Sequence, residues 1–332
     1  MKAIIPVAGI GSKLRPHTHT QPKSLIPVAG NTVLGHIIER LRDAGIQDFV
    51  FVIGYLGGKV EAYVKRKYPE LRAEFVVQEP REGLGHALWL AREHFRHEDA
   101  ILIMLGDAIV EVDLKKVLAS PHSVLCVKKV DQPSLFGVTE VDDEDFIIKL
   151  VEKPRIPKSN FALVGLYKLN NPEKLAQSLE HIITENVRSQ NEFHLTDALM
   201  HLVKNGEKIS TCKVDHWYDC GRKNALLETN SALLNRPEFQ KASYPEFPNT
   251  IVIPPVSIGK DCVISNSVIG PNVAIGANTI VDYTILQNSI IGEYSELRNS
   301  VLQSSIIGND SSLKGLSHRL NIGDNTEINF AE

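Results

Sequence analysis

The sequence predicts a Rossmann-like α/β domain, a mostly parallel sheet with helices on both faces, followed by a left-handed parallel β-helix. Over residues 1–235, short apolar segments alternate with segments of helical apolar spacing, which is typical of a sheet covered by helices. After residue 250, aliphatic residues recur every five or six positions, often as Ile-Gly, which is typical of hexapeptide coils. We therefore predict a first domain at 1–235, a proline-rich linker at 236–250 and a β-helix at 251–332.

The first domain begins with an apolar strand at 3–7 that runs into a loop containing Gly9 and Gly11. The next predicted elements are a helix at 33–44, a strand at 48–54, a helix at 60–68, a strand at 73–78, a helix at 85–95 and a strand at 100–105. An antiparallel excursion is predicted at 136–169, then a helix that includes Glu192 and Asp197, a strand to 214 and a helix to 234. Because parallel sheets bind ligands at the carboxyl ends of their strands, the loops after Val7, Gln78 and Asp107 are expected to converge.

The β-helix is predicted from one aliphatic position in each turn of the coil. These positions are Ile258, Ile264, Ile269, Ile275, Val281, Leu286, Ile291, Leu297, Leu302, Ile307 and Leu313. An irregular β tail is the alternative, and the near-constant spacing favours the coil. A single coil cannot bury its apolar face, so we expect the coils to stack on each other and on a partner chain. We expect a homodimer or a homotetramer.

Composition limits the possible partners. The chain has 332 residues, 43% hydrophobic and 23% charged, which is typical of a globular protein with a sizeable core. Its net charge of −4 gives no general attraction to nucleic acid or to an anionic membrane, so neither is an expected partner. Four cysteines without a C-x-x-C pair favour a reducing compartment and argue against zinc. There is no basic leader and no apolar run of about 18 residues, which predicts a cytoplasmic location.

The loop after the first strand has the chemistry of a phosphate site. Glycines let backbone N–H groups approach an anion, and Lys13, Arg15 and Lys23 bring positive charge. The match to the dinucleotide fingerprint G-x-G-x-x-G is weak, because Leu14 stands where its third glycine would be. The Walker A motif does not match, because no G-K-[ST] sequence is present. A purely structural turn is the alternative.

Several segments in order resemble the sugar-1-phosphate nucleotidyltransferases. Residues 8–18 and Pro22-Lys23 are similar to the signature G-G-x-G-T-R-L-x-P-x-T followed by P-K. The other matching segments are Gln78-Glu79-Pro80, Gly83–Ala87, Leu105-Gly106-Asp107, Phe136-Gly137-Val138, Leu150–Pro154, Val164–Tyr167, Leu195-Thr196-Asp197 and Trp217–Gly221. With the hexapeptide tail, the order most resembles the long glucose-1-phosphate thymidylyltransferases, and the UDP-glucose enzymes share the opening residues.

The resemblance implies a nucleotidyltransferase fold and a direct in-line reaction. A nucleoside triphosphate, dTTP or UTP, and a hexose 1-phosphate, most often glucose 1-phosphate, would give nucleotide-sugar and pyrophosphate. It implies Mg²⁺ as cofactor, held by Asp107 and Asp219. The implied catalytic residues are Lys13, Lys23, Asp107 and Asp219. The implied nucleotide-binding residues are Ala8, Gly9, Gly11, Ser12, Arg15, Gln78 and Gly83. The implied sugar-phosphate residues are Gly137, Glu152, Lys153 and Gly165.

The chain also departs from the family pattern. Lys13 stands in place of a family arginine, and lysine lacks the bidentate guanidinium of arginine. Ala108 stands where the family commonly has asparagine. Gln190 stands where the family has an anion-binding arginine, so that arginine is missing unless Arg188 substitutes for it. A regulatory or binding paralogue that holds nucleotide-sugar with little turnover is therefore a second hypothesis. A third makes the tail an acyltransferase with His318 as base, which the small number of coils disfavours.

Overall fold

The structure, a computed structural model, describes residues 1–239 and 244–315. The chain divides into two compact units, Met1–Ala232 and Leu233–Glu332. In the described residues no helix is long and apolar enough to cross a membrane. His318 lies outside the described residues. The domain limits given above stay a prediction, although Tyr244 and Phe247, from the expected linker, pack against the core of the β-helix.

The elements up to residue 234 alternate between strands and helices, as the sequence predicts. The strands are β1 Lys2–Pro6, β2 Pro27–Val28, β3 Asn31–Thr32, β4 Asp48–Ile53, β5 Arg72–Val77, β6 Ile101–Met104, β7 Ala108–Glu111, β8 Ser123–Lys129, β9 Gly137–Val141, β10 Ile147–Glu152, β11 Phe161–Leu169, β12 Ile209–Lys213 and β13 His216–Asp219. The α-helices are α1 Val33–Asp43, α2 Gly57–Lys67, α3 Leu84–Leu90, α4 Leu114–Leu118, α5 Pro172–Thr184, α6 Leu195–Lys204 and α7 Lys223–Leu234.

The central sheet is built around β1, whose residues Ala3–Ile5 are fully buried. A strand that is apolar on both faces must be covered on both faces. Along its two edges, β1 pairs in parallel with β4 and with β6. The strand order is β10-β9-β11-β6-β1-β4-β5, with β8 on β11 and β12 on β8. The pair of β9 and β10 is antiparallel, which confirms the predicted excursion.

Helices cover the sheet on both faces, which confirms the predicted fold class. Leu88 of α3, Leu179 of α5 and Leu199 of α6 pack in one buried cluster with Ile4 of β1. Helix α2 lies against β4 and β5. Phe51 of β4 points to the face opposite that cluster, because side chains alternate along a strand, and it is also fully buried. The order of elements therefore places loops from β1, β5 and β6 at one edge of the sheet.

Several features differ from the sequence prediction or were not foreseen by it, among them helix α5 Pro172–Thr184 and strand β8 Ser123–Lys129. Helix α6 begins at Leu195, because His194 before it has an extended backbone, so Glu192 lies in a loop and outside the helix. Strands β7 and β13 form a separate antiparallel pair in which Asp219 is the register partner of Ala108. This pairing brings the end of β13 next to the loop after β6.

The second unit contains a parallel β-helix of four coils in its described part. Its strands are β14 Ile251–Val252, β15 Val256–Ile258, β16 Val263–Ser265, β17 Val268–Ile269, β18 Val273–Ile275, β19 Ile280–Asp282, β20 Ile285–Gln287, β21 Ile290–Ile291, β22 Glu296–Arg298, β23 Val301–Gln303, β24 Ile306–Ile307 and β25 Ser312–Lys314. They form three sheets, β14-β17-β20-β23, β15-β18-β21-β24 and β16-β19-β22-β25. This arrangement is consistent with the left-handed coil that the hexapeptide spacing predicts.

The aliphatic repeat forms the core of this unit. All eleven predicted positions belong to it: Ile264 through Leu297 in that series are buried, and Ile258, Leu302, Ile307 and Leu313 pack partly buried against them. Corners between strands use residues with positive φ, among them Asn266, Asn272 and Asn278. Asparagine tolerates this left-handed conformation better than most residues, so the repeat encodes both the core and the turns.

Candidate functional site

A cleft of about 610 Å³ opens at the carboxyl ends of β1, β5 and β6. Its walls come from the loop after β1, from the segment after β5 and from the loop after β6, which confirms that these three loops converge. The residues that line it are Pro6, Val7, Ala8, Gly9, Ile10, Gly11, Ser12, Lys23, Ser24, Gln78, Arg81, Gly83, Leu84, Ala87, Leu105, Gly106, Asp107 and Glu192. Eight of the residues expected to bind nucleotide or to act in catalysis are therefore in one cavity: Ala8, Gly9, Gly11, Ser12, Lys23, Gln78, Gly83 and Asp107.

Close packing brings two of these loops together. A Cβ at Gly106 would lie 2.2 Å from Cγ1 of Val7, so only glycine allows the loop after β6 to lie this close to the loop after β1. The N–H of Gly106 donates to the carbonyl of Pro6 at 3.3 Å. The Asp107 side chain, one residue further, consequently lies at the cleft wall.

Lys23, Asp107 and Asp219 meet at this wall. The Lys23 Nζ donates to Asp107 Oδ2 at 2.6 Å. The N–H of Cys220 donates to the carbonyl of Asp107 at 3.0 Å, so β13 ends directly beside Asp107. A Cβ at Gly221 would lie 2.7 Å from Asp219 Oδ1 and 3.1 Å from Lys23 Nζ, which shows that both side chains approach the same point.

The two carboxylates form a suitable donor set for Mg²⁺. Magnesium prefers hard oxygen ligands and usually takes only one or two from protein carboxylates, the others coming from water and substrate phosphates. Asp107 and Asp219 lie side by side and remain partly exposed, so they fit that requirement. In the described residues no group of three or more His, Cys, Asp or Glu side chains could hold a metal ion alone.

Gln78 is fixed deep in the cleft. It is 6% exposed, and its Nε2 donates to the carbonyl of Gly83 at 2.8 Å. Nε2 also lies 3.5 Å from Nδ1 of His86. Burial lowers the pKa of His86, so its neutral ring can accept this contact. Since the amide nitrogen is used by the protein, the side-chain oxygen is the group that remains for a ligand.

A second cavity of about 340 Å³ adjoins the first. It contains the predicted sugar-phosphate residues Gly137, Glu152 and Lys153, together with Asp107 and Asp219. Phe136 and Trp217 line it as an edge-to-face pair, with ring centroids 4.9 Å apart. The cavity thus combines an apolar wall with charged groups, as ligand pockets usually do.

Glu152 is held in a defined position in this second cavity. Its Oε2 accepts a hydrogen bond from Thr196 Oγ1 at 3.1 Å. Its Oε1 lies 3.4 Å from Lys153 Nζ and 3.8 Å from His194 Nδ1. The fixed carboxylate can accept hydrogen bonds from hydroxyl groups of a ligand, and the lysine beside it can bind an anion.

Leu84, Leu105, Asp107 and Glu192 line both cavities. The sequence analysis predicts a role for Asp107 and none for Glu192. It places Glu192 in a helix, whereas the structure has it in the loop before α6, beside both cavities. Arg81 was also missed; it lines the first cavity and its guanidinium lies 5.9 Å from the ring of Tyr55.

Three predicted residues do not line either cavity. Lys13 and Arg15 are exposed on either side of Leu14, which the short 3₁₀ helix Ser12–Leu14 buries. Gly165 lies behind Leu105, whose side chain a Cβ there would meet at 2.7 Å. The roles of these three residues stay predictions.

Arg188 does not have the position of a free anion-binding group. Its Nη2 donates to Glu82 Oε1 at 3.1 Å, and its guanidinium lies 3.9 Å from the ring of Phe193. The N–H of Phe193 in turn donates to the carbonyl of Glu82 at 2.8 Å. Arg188 therefore connects the segment after β5 to the loop before α6.

Comparisons with known proteins give one consistent family. The sequence profile described as nucleotidyl transferase matches residues 2–236. A glucose-1-phosphate thymidylyltransferase from Streptomyces griseus is 31% identical over 316 residues, 88% of this chain and 87% of that protein. The bifunctional protein GlmU from Methanocaldococcus jannaschii is 38% identical over 237 residues, 71% of this chain, and the chain covers only 55% of its length. The structure of a UDP-glucose pyrophosphorylase complexed with UDP-glucose, 25% identical, covers 70% of this chain and 97% of its own with a TM-score of 0.60.

Proposed function

Because the chain belongs to the nucleotidyl transferase family, we propose that it joins a nucleoside triphosphate to a sugar 1-phosphate and releases pyrophosphate. The proposed nucleotide is dTTP or UTP, and the proposed sugar is glucose 1-phosphate. The thymidylyltransferase relative and the UDP-glucose pyrophosphorylase structure support this choice. The chain spans about half of the GlmU relative, so that protein's name adds no second activity to the proposal.

The observation that carries the proposal is the pair of adjoining cavities with Asp107 in their common wall. The larger cavity, of about 610 Å³, has the glycine loop and Gln78, as a nucleotide requires. The smaller, of about 340 Å³, has Glu152 and Lys153, as a sugar phosphate requires. A reaction between the two ligands would then occur beside Asp107.

In this proposal the protein acts by positioning and by charge. Lys23 stabilises the negative charge at the α-phosphate, and Lys153 holds the phosphate of the sugar. Glu152, fixed by Thr196, accepts hydrogen bonds from sugar hydroxyls. An oxygen of the sugar phosphate then attacks the α-phosphorus in line, and pyrophosphate leaves without a covalent intermediate. Bound Mg²⁺, held by Asp107 and Asp219, would neutralise phosphate charge.

The position of Gln78 supports a base with a ring N–H group, such as the N3–H of thymine or uracil. Its amide nitrogen donates to Gly83, so the side-chain oxygen is left to accept a hydrogen bond. Thymine and uracil both donate at N3, whereas cytosine has no hydrogen there. The site therefore favours dTTP and UTP over CTP, and it does not distinguish the first two.

The test is pyrophosphate release by the full chain with Mg²⁺, across four nucleoside triphosphates and several sugar 1-phosphates. We expect turnover with dTTP or UTP and its loss by a factor of at least about 10³ in Asp107→Asn. Asp131→Asn is the matched control, because Asp131 is exposed and lines neither cavity. Equal turnover in the two variants would refute the role of Asp107.

The second hypothesis, a binding paralogue, has as its support the loss of two family arginine positions, which are Lys13 and Gln190 in this chain. It predicts that nucleotide-sugar binds in calorimetry while pyrophosphate release stays at background with every substrate pair. Turnover with any pair rules it out. A cytoplasmic location and a homodimer or homotetramer remain predictions from the sequence.

A further inference from the structure

Two of the four cysteines lie opposite each other on neighbouring strands. Cys126 of β8 and Cys212 of β12 are direct register partners in a parallel pair. Register partners on adjacent strands present their side chains on the same face of the sheet. The sequence gives no indication of this, because the two residues are far apart in the chain and no C-x-x-C motif connects them.

The pairing meets the geometric requirement of a disulfide. Adjacent strands lie about 4.8 Å apart, and disulfides join Cα atoms that are about 4.4–6.8 Å apart. Both thiols are reduced in this structure. Joining them therefore requires rotation of two side chains and no separation of the strands.

The surroundings of the two thiols are unequal. Cys126 is fully buried, whereas Cys212 is partly exposed on β12, which pairs along its length with β8 and meets Phe146 in one isolated bridge. The contact with the Cys126 thiol lowers the pKa of Cys212 to about 7, and Lys116 contributes in the same direction. Burial of Cys212 and the carboxylates Asp215 and Asp113 oppose this shift. The same contact, with burial, raises the pKa of Cys126.

This is the arrangement of a reactive thiol beside a resolving thiol, since a thiolate that solvent can reach is the nucleophile in thiol oxidation. The remaining cysteines lack it. Burial raises the pKa of Cys220 to about 12 and also raises the pKa of Cys262. Neither should react at neutral pH at a comparable rate.

We propose that Cys126 and Cys212 form an oxidative modification site, in which a hydroperoxide converts the two thiols to a disulfide between β8 and β12. The Cys212 sulfur attacks the peroxide; an S–O bond forms, the O–O bond breaks, and water or an alcohol leaves. The Cys126 sulfur then attacks the sulfenic sulfur; the S–S bond forms, the S–O bond breaks, and hydroxide leaves with the thiol proton as water. Two thiols are oxidised by two electrons and one peroxide is reduced. This proposal does not depend on the proposed enzymatic function.

The test treats the full chain with a small excess of hydrogen peroxide at neutral pH and counts thiols after denaturation. We expect the loss of two of the four thiols, full recovery with dithiothreitol, and a peptide pair linking Cys126 to Cys212 in mass spectrometry. Cys212→Ser should retain all its remaining thiols under the same treatment. Cys126→Ser should form a dimedone adduct at Cys212, because its resolving thiol is absent. Cys262→Ser is the matched control and should still lose two thiols.

Three results would overturn the proposal: no thiol loss in the wild type, a disulfide that includes Cys220 or Cys262, or oxidation of Cys212 to the sulfinic acid without a disulfide. The peptide map uses the wild-type protein. The decision therefore does not depend on the folding of a variant with a changed buried cysteine.

Discussion

Gly11 gives the sharpest test of how the cleft is built. Its φ is +69°, and a Cβ there would lie 2.9 Å from Cβ of Lys23 and 3.0 Å from Cγ2 of Thr18. An L-residue in the left-handed region costs about 1–2 kcal/mol, and Thr18 is fully buried, so it cannot move away freely. We expect Gly11→Ala to lower the free energy of unfolding by about 2 kcal/mol. We also expect it to displace Lys23 and so reduce turnover.

Gly9→Ala is the matched control. Gly9 is in the same loop and lines the same cleft, but it has no positive φ and no atom within 4 Å of an added Cβ. Its effect on the free energy of unfolding should stay within about 0.5 kcal/mol. Both variants should weaken nucleotide binding, because both add a methyl group where a phosphate is proposed to approach the backbone.

Tryptophan fluorescence during urea denaturation measures the unfolding of the first unit, Met1–Ala232, which contains Gly9 and Gly11. The two tryptophans, Trp89 and Trp217, both belong to Met1–Ala232, so the signal reports that unit alone. If Gly11→Ala and Gly9→Ala unfold at the same urea concentration, the packing of Gly11 against Thr18 and Lys23 is not what sets the loop conformation.

Three further predictions concern other parts of the molecule. Lys153→Met should raise KM for the sugar 1-phosphate about 10- to 100-fold in steady-state kinetics, because a charge-assisted hydrogen bond contributes about 1.5–3 kcal/mol. An equal rise in KM for the nucleotide would contradict the assignment of Lys153 to the phosphate of the sugar. Burial raises the pKa of Asp197 above its ordinary value, so the stability that this carboxyl contributes is complete in acid and is lost as pH rises through the raised pKa. Asp197→Asn should therefore flatten the decline of the free energy of unfolding with pH, measured by urea titrations at several pH values, and an unchanged profile would contradict this account. Tyr294 has a φ of +56° at a corner of the β-helix, a conformation that asparagine tolerates better than tyrosine. Tyr294→Asn should therefore stabilise the β-helix by about 1 kcal/mol, measured by hydrogen exchange, whereas Tyr294→Phe should not. Equal effects of the two variants would exclude backbone strain as the cause.

The parts of the fold that could be predicted are those that local patterns encode. In the β-helix each coil repeats the same contacts, so the series from Ile258 to Leu313 predicts the core position by position. In the first unit the apolar run at 3–5 predicts a strand buried on both faces, and the glycines after it predict a loop at the sheet edge. Each inference needed only a few consecutive residues.

Pairings between distant segments could not be predicted in this way. Nothing in the residues around Asp219 indicates that β13 pairs with β7, and nothing around Cys212 indicates its contact with Cys126. The direction of a side chain in a loop was equally inaccessible. Lys13 and Arg15 have the spacing of phosphate-binding residues, yet both are exposed beside the buried Leu14 and line neither cavity.

The charges around the two cavities bear on why a metal ion belongs in the proposed reaction. The carboxylates that line them are Asp107, Glu152, Glu192 and Asp219, and the cationic side chains are Lys23, Arg81 and Lys153. This balance is slightly acidic, and Lys23 is already paired with Asp107. A triphosphate and a sugar phosphate would both add negative charge to a site that has no excess of positive charge. A divalent cation held by Asp107 and Asp219 would change the sign of that balance. The carboxylates and Lys23 therefore suit a site in which the metal contributes to nucleotide binding as well as to the chemical step.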